Sequence, residues 1–179
     1  MDEIKLIRKA IKGNEKAFEK LLEIHSDRLY RTAYLYVGNR EDALDVLQET
    51  AYKAFISVGQ LRDERYFLTW VTKILIHCAY DVINKRKKET PAADNIIELI
   101  PGKREKLDEA LDLVEAIDQL NEQQRNAIIL FYYQDLSLTD VAKLMNIPVN
   151  TLKTYLSRGK SQLKQLLGGD DYNGTETIS

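Results

Sequence analysis

The stretch SLTDVAKLMNIPVNTLKTYLSRGKSQL at 137–163 constrains the chain most, because it spells two amphipathic helices joined by a very short turn. Ser137 and Asp140 form an S-x-x-D capping signature, which predicts a first helix that begins at Leu138 and buries Val141, Ala142, Leu144 and Met145. Ala142 is small enough to let a second helix cross closely. Ile147 fills the turn, and Pro148 suits the first turn of the next helix, where a missing amide hydrogen costs nothing. In that helix Leu152, Leu156 and Leu163 fall on one stripe, while Lys153, Thr154, Ser157, Arg158 and Lys160 project elsewhere. This is the pattern of a helix-turn-helix whose second helix enters the DNA major groove and offers its free face to phosphates and base edges. An ordinary helical hairpin with a solvated basic face has the same periodicity, so a second signal is needed. Gly159, inside the second helix, costs about 1 kcal/mol relative to alanine and reflects either close approach to DNA or tolerance.

Composition leaves room for that second signal. A chain of 179 residues can form one ordinary domain or two small ones, and with only three prolines and eight glycines its long 3.6-residue periodicities predict an all-α fold. The net charge of −2 argues against a protein that coats nucleic acid indiscriminately. Charge is nevertheless uneven: residues 137–167 carry Lys143, Lys153, Arg158, Lys160 and Lys164 against Asp140 alone, and Lys85, Arg86, Lys87 and Lys88 form a second run. Local charge governs contact with DNA. Cys78 is the only cysteine and the two histidines, His25 and His77, are far apart, so neither a disulfide nor a zinc site is expected, and no cofactor. The opening MDEIKLIRKAIKG is too charged for a secretory signal, and no apolar run reaches the ~18–20 residues of a membrane span. A soluble, cytoplasmic protein is the expectation.

Two helical blocks flank a weak middle, giving two small helical domains joined by a flexible linker. In the first block, assigned to 1–88, residues 3–12 form a short helix ended by Gly13. Phe18, Leu21, Leu22, His25, Leu29, Ala33 and Tyr36 then continue a stripe to about Val37. Asn39 and Asp42 open another helix that presents Ala43, Val46, Leu47, Thr50, Ala51, Ala54 and Phe55 inward and stops at Gly59. A third, from about Arg65 to Lys85, carries Phe67, Trp70, Val71, Ile74, Leu75 and Cys78. Residues 89–106, with Pro91, Pro101 and Gly102, read as the linker. The second block, 107–167, resumes the period at Leu107, Leu111, Val114 and Ile117. Asn121 caps a helix that carries Ile128, Ile129, Phe131 and Tyr132 into the helix-turn-helix. Residues 168–179 read as a disordered tail.

The second signal lies in DALDVLQE at 42–49, where Asp42, Asp45 and Glu49, with Gln48 beside them, make an acidic stripe opposite the apolar one. Acid–base catalysis or a hard metal would need converging groups from elsewhere, and none stands out, so no catalytic residue or metal ligand is assigned. Downstream come Phe67 and Trp70, then the run KRKK at the end of the same helix.

With these segments in order, the sequence resembles the extracytoplasmic-function group of bacterial sigma factors, dissociable subunits that direct RNA polymerase to promoters. NREDALDVLQETAYKAF at 39–55 is similar to the part of the family's region two that docks on a coiled coil of the polymerase largest subunit. FLTWVTKILIHCAYDVINKRKK at 67–88 resembles the next segment, which helps bind and melt the minus-ten element. LNEQQRNAIILFYYQDLSLTDVAKLMNIPVNTLKTYLSRGKSQL at 120–163 resembles region four, the reader of the minus-thirty-five element.

The resemblance implies a non-enzymatic initiation factor with core RNA polymerase, promoter DNA and an anti-sigma factor as partners. Asp42, Asp45, Gln48 and Glu49 would pair with basic groups on polymerase, where complementary charge sets register and encounter rate more than raw affinity. Lys153, Thr154, Ser157 and Arg158 would face bases and nearby phosphates, with Lys160 on a phosphate and Lys85, Arg86, Lys87 and Lys88 on DNA at the melted element. QLRDERY at 60–66 lies where the family's loop captures an unstacked base of the melted non-template strand. Three residues depart from the commoner family pattern: Asn150 where glycine is frequent, Tyr155 where arginine is, and His77 where asparagine is. A helix-turn-helix regulator that never joins polymerase lacks a use for the acidic stripe. A helical module that binds an acidic protein through its basic faces is the remaining alternative.

Overall fold

In the computed structural model the chain divides into two compact units, Met1–Ile97 and Glu98–Ser179. Residues 2–89 and 112–168 are described, and all of their regular structure is helical. The expected linker beyond Glu89, the helical onset at Leu107 and Leu111, and the expected tail beyond Gly168 lie outside the described residues.

The N-terminal unit contains α1 (Glu3–Ile11), α2 (Glu15–Val37), α3 (Arg40–Ser57) and α4 (Phe67–Glu89). Side chains settle where the helices start. Asn14 accepts from the Ala17 amide at 2.9 Å and Asn39 from the Asp42 amide at 2.9 Å, each satisfying an amide left unpaired at a helix N-terminus. Gly38, at φ +79°, ends α2 by donating to the Tyr34 carbonyl. Gly59 is not the left-handed stop expected for α3, which runs on into a 3₁₀ turn at Val58–Gln60. A second 3₁₀ turn, Glu64–Tyr66, delays α4 until Phe67, because the Asp63 carboxylate accepts from the Arg65 amide and tightens the chain there.

α2, α3 and α4 pack against one another and α1 packs on α2. Leu21, Leu29 and Ala33, then Ala43, Val46 and Ala54, then Phe67, Val71, Leu75 and Ala79 are all but sealed from solvent. Each fully buried Leu or Phe is worth about 1.5–3 kcal/mol relative to exposure. Trp70 and Ile74 are only half-buried, and Phe55, expected inside, is 44% exposed with its ring edge-on to Phe18. Cys78 is buried on α4, and burial pushes its thiol pKa up, as for an inert core cysteine.

The C-terminal unit contains α5 (residues 112–118), α6 (Glu122–Ile128), α7 (Leu138–Met145) and α8 (Val149–Leu166). Asn121 caps α6 as expected, accepting from the Gln124 amide at 2.9 Å. After α6 comes a single π turn, Ile129–Tyr133, in which Gln134 donates to the carbonyl of Ile129 five residues back. The wider turn rotates the stripe. Ile128, Ile129 and Leu130 are buried, whereas Phe131 is half-buried and Tyr132 is 39% exposed, contrary to the regular helix expected. α8 packs against α6 and α7, and Leu152 and Leu156, like Ile117 and Val141, are among the sealed core residues.

Candidate nucleic-acid interface

The helix-turn-helix is built as its capping residues dictate. Ser137 Oγ accepts from the Asp140 amide at 3.1 Å to start α7, which buries Val141 and Ala142 and half-buries Leu144 and Met145. The helix ends at Asn146 in the left-handed region, φ +56°, and the Ile147 amide donates back to Ala142 at 3.0 Å. Pro148 is at the N-cap, one position ahead of the first helical turn, with φ −63° and ψ 149°. The asparagine preference for left-handed caps marks Asn146 as the pivot of the turn, a cue that apolar spacing does not carry.

α8 presents two faces. Leu152 and Leu156 are sealed against the unit and Leu163 is half-buried, while Lys153, Thr154, Ser157, Arg158 and Lys160 are all exposed. Thr154 Oγ1 donates to the Asn150 carbonyl at 3.2 Å. No ion pair among the described residues engages Lys153, Arg158 or Lys160. Gly159 sits between two of these side chains but is buried, and a Cβ built on it would stand 3.0 Å from Cγ1 of Ile128. Its close approach is therefore to α6 and not to DNA.

On α3, Asp45, Gln48 and Glu49 are exposed. Glu49 has only a loose partner in Lys53 at 3.6 Å, and Lys53 reaches Asp81 at 3.8 Å, distances at which exposed pairs contribute little. Asp42 is different. It accepts from Asn39 Nδ2 at 2.9 Å and is ion-paired with Arg86, whose Nη2 also donates to the Val37 carbonyl at 2.7 Å. Burial pushes the Asp42 carboxyl up, but the hydrogen bonds from Asn39 and Arg86 and the Arg86 charge prevail and hold it below the ordinary carboxylate range. One member of the expected acidic stripe and one of the expected basic run are thus spent on each other, tying the end of α4 to the junction of α2 and α3. Lys85, Lys87 and Lys88 remain exposed around that tie.

In the 60–66 segment Arg65 closes on Asp63, Nη2 to Oδ2 at 2.7 Å, and its guanidinium lies 5.9 Å from the centre of the Tyr66 ring. Hydrogen bonds from Arg65 hold the Asp63 carboxyl below its ordinary range. Arg62, Arg65 and Tyr66 are exposed. Among the described residues no cluster of three potential ligands could hold a metal ion, and no helix is long and apolar enough to cross a membrane.

Comparison with known proteins gives two family matches, Sigma-70 region 2 over residues 21–89 and Sigma-70, region 4 over residues 110–163. The chain is 35% identical over 147 residues to the RNA polymerase sigma factor SigV of Bacillus subtilis, an alignment covering 82% of this chain and 89% of SigV. It is 28% identical to the ECF RNA polymerase sigma factor SigW of the same organism, over 91% of this chain and 95% of SigW. Among solved structures it is similar to the sigma factor RpoE in its complex with the anti-sigma factor NepR from Bartonella quintana, with TM-score 0.71 and 26% identity over 87% of this chain and 99% of that one. The fold also matches that of CnrH bound to the cytosolic domain of CnrY, with TM-score 0.74 and 20% identity over 92% of this chain and 96% of that one.

Proposed function

The chain belongs to the extracytoplasmic-function group of bacterial RNA polymerase sigma factors, and from that membership we propose how its two units divide the work. The protein binds core RNA polymerase and directs promoter-specific initiation, in a stress or envelope response of the kind this group serves. In our reading the N-terminal unit docks on polymerase through Asp45, Gln48 and Glu49. It binds and melts the minus-ten element with α4, where Lys85, Lys87 and Lys88 contact the backbone. The C-terminal unit reads the minus-thirty-five element with Lys153, Thr154, Ser157 and Arg158, and Lys160 meets a phosphate. Asp42 and Arg86 serve this surface indirectly by fixing α3 against α4.

The observation that carries the reading is the state of α8: its expected contact residues are exposed on the face opposite Leu152 and Leu156. Polymerase makes the bonds, so the protein has no catalysis of its own, and it works in the cytoplasm where its template lies. Control by an anti-sigma factor is supported by the likeness to RpoE, which is held by one in its solved complex.

Permanganate footprinting on a promoter activated by overexpression tests the assignment. Thymines near the start site should become reactive only with core polymerase and the full chain together. Opening by residues 107–167 with core, or by the full chain without core, overturns the division of labour.

A further inference from the structure

The first helix stands outside the Sigma-70 region 2 match, which begins at residue 21, yet it touches the 60–66 segment, where capture of an unstacked base is expected. With nine residues α1 is too short to hold itself helical in water, so docking sets its position. Leu6, Ile7 and Ala10 are buried, and α1 packs against α2 and against both 3₁₀ turns that flank and form the 60–66 segment. Its C-terminal end lies on the first turn, where a Cβ added to Gly59 would meet the Ile11 carbonyl oxygen at 3.7 Å.

Two polar ties fix α1 lengthwise. Near its start Glu3 Oε1 is 2.9 Å from Nε2 of His25, a buried side chain of α2. Near its end Arg8 donates from Nε and Nη2 to Glu64 Oε1, at 3.0 and 2.7 Å. The second turn has no buried residue of its own, so polar ties carry much of its placement. Asp63 shapes the turn from within, and Arg8 anchors it from outside.

We propose that Arg8 is a positioning residue for promoter opening: its pair with Glu64 holds the 60–66 loop in the shape that receives an unstacked base of the melted non-template strand. The proposal rests on reading 60–66 as the capture loop. An exposed ion pair adds little to the stability of a folded unit, yet the same small energy acts directly on the population of a loop conformation that must be ready when the base leaves its stack.

The test uses the full chain with core polymerase on an activated promoter and follows the rate of thymine exposure to permanganate at saturating holoenzyme. Arg8→Ala should assemble with core and melt thermally as the parent does, while opening slows about threefold, within the range of one exposed pair. Arg8→Glu should be slower still, and the swap Arg8→Glu with Glu64→Arg should return the rate toward the parent. A parent-like rate for Arg8→Ala, alongside slow opening by Arg62→Ala with Tyr66→Ala, overturns the anchor and leaves the capture loop standing. Parent-like opening by the loop double variant overturns the capture loop itself. Slow opening that the swap fails to restore also overturns the proposal, because Arg8 would then act on something other than Glu64.

Discussion

The two charged regions look alike in the sequence and end differently. In the N-terminal unit Asp42 and Arg86 close on each other and Arg86 also donates to the Val37 carbonyl, so that residues from an acidic stripe and a basic run become a brace. In the C-terminal unit Lys153, Arg158 and Lys160 stay in solvent, and it is the uncharged Gly159 among them that goes inside. One rule covers both. Arg86 continues the row Val71, Leu75, Ala79 and Val82 on α4, and Gly159 continues the row Leu152, Leu156 and Leu163 on α8. Position relative to the packing stripe decides whether a residue is an anchor or a face, and charge alone does not.

The largest effect expected from this contrast is at the exposed part of α3. Reversing Asp45 and Glu49 to lysine together leaves the brace at Asp42 intact but sets like charges against a basic polymerase surface. Such juxtaposition costs several kcal/mol, so affinity for core should fall on the order of a thousandfold while thermal unfolding is unchanged. A double variant that competes for core as well as the parent would mean that the acidic face is only solvated.

Next comes the buried glycine. Gly159→Ala gains about 1 kcal/mol of helix propensity, against a Cβ only 3.0 Å from Ile128, and should leave stability nearly level. Gly159→Val brings branched carbons into the same gap and should destabilise the C-terminal unit by about 3 kcal/mol, the upper end of ordinary overpacking. Urea unfolding followed by amide exchange in α8 measures both, and a stable valine variant would show that α6 and α8 can part freely.

A smaller loss, about 2 kcal/mol of discrimination between cognate and altered promoters, is expected for Arg158→Ala if the guanidinium makes a paired contact to a base. Core binding should not change. Equal loss on every promoter would move Arg158 from base reading to phosphate contact, and no loss would remove it from the interface.

Much of this was legible because caps and apolar periods act locally. Asn39, Asn121 and Ser137 each start a helix with a side-chain acceptor for the amide three residues on, and the sealed leucines of α8 lie where a 3.6-residue period puts them. The π turn at Ile129–Tyr133 was not legible, because one extra residue per turn leaves composition unchanged and only rotates Phe131 and Tyr132 outward. The tie of the Glu64–Tyr66 turn to Arg8 joins residues 56 positions apart, which no local pattern announces. Of the expected contact residues, those on α8 and Asp45, Gln48 and Glu49 could be placed on a free face from spacing. Asp42 and Arg86 needed the neighbouring helix ends to be known.

The smallest expected effect tests the brace itself. The Asp42 carboxyl has a folded pKa below its ordinary 3.8, so the charge on this group contributes stability that is present above that unfolded value and is lost as pH falls through the depressed folded one. Asp42→Asn keeps the size of the side chain and removes the charge. Because 28% of the Asp42 side chain and 42% of Arg86 remain exposed, solvent screens the pair and the loss near neutral pH should be about 1 kcal/mol or less. The parent-minus-variant difference in urea stability should be flat above about pH 5 and shrink toward zero in acid, where the parent's carboxylate is protonated too. Arg86→Ala should lose that coupling and the contact to Val37 as well, and the double variant with Asp42→Asn should be less destabilised than the two single losses added, because the pair is counted twice. Core affinity should be nearly untouched by Asp42→Asn, in contrast to the double reversal at Asp45 and Glu49. A hundredfold loss of core binding on neutralising Asp42 would put that carboxylate back among the docking residues, and a stability difference that persists in acid would show that its charge is not what holds α4 to the α2–α3 junction.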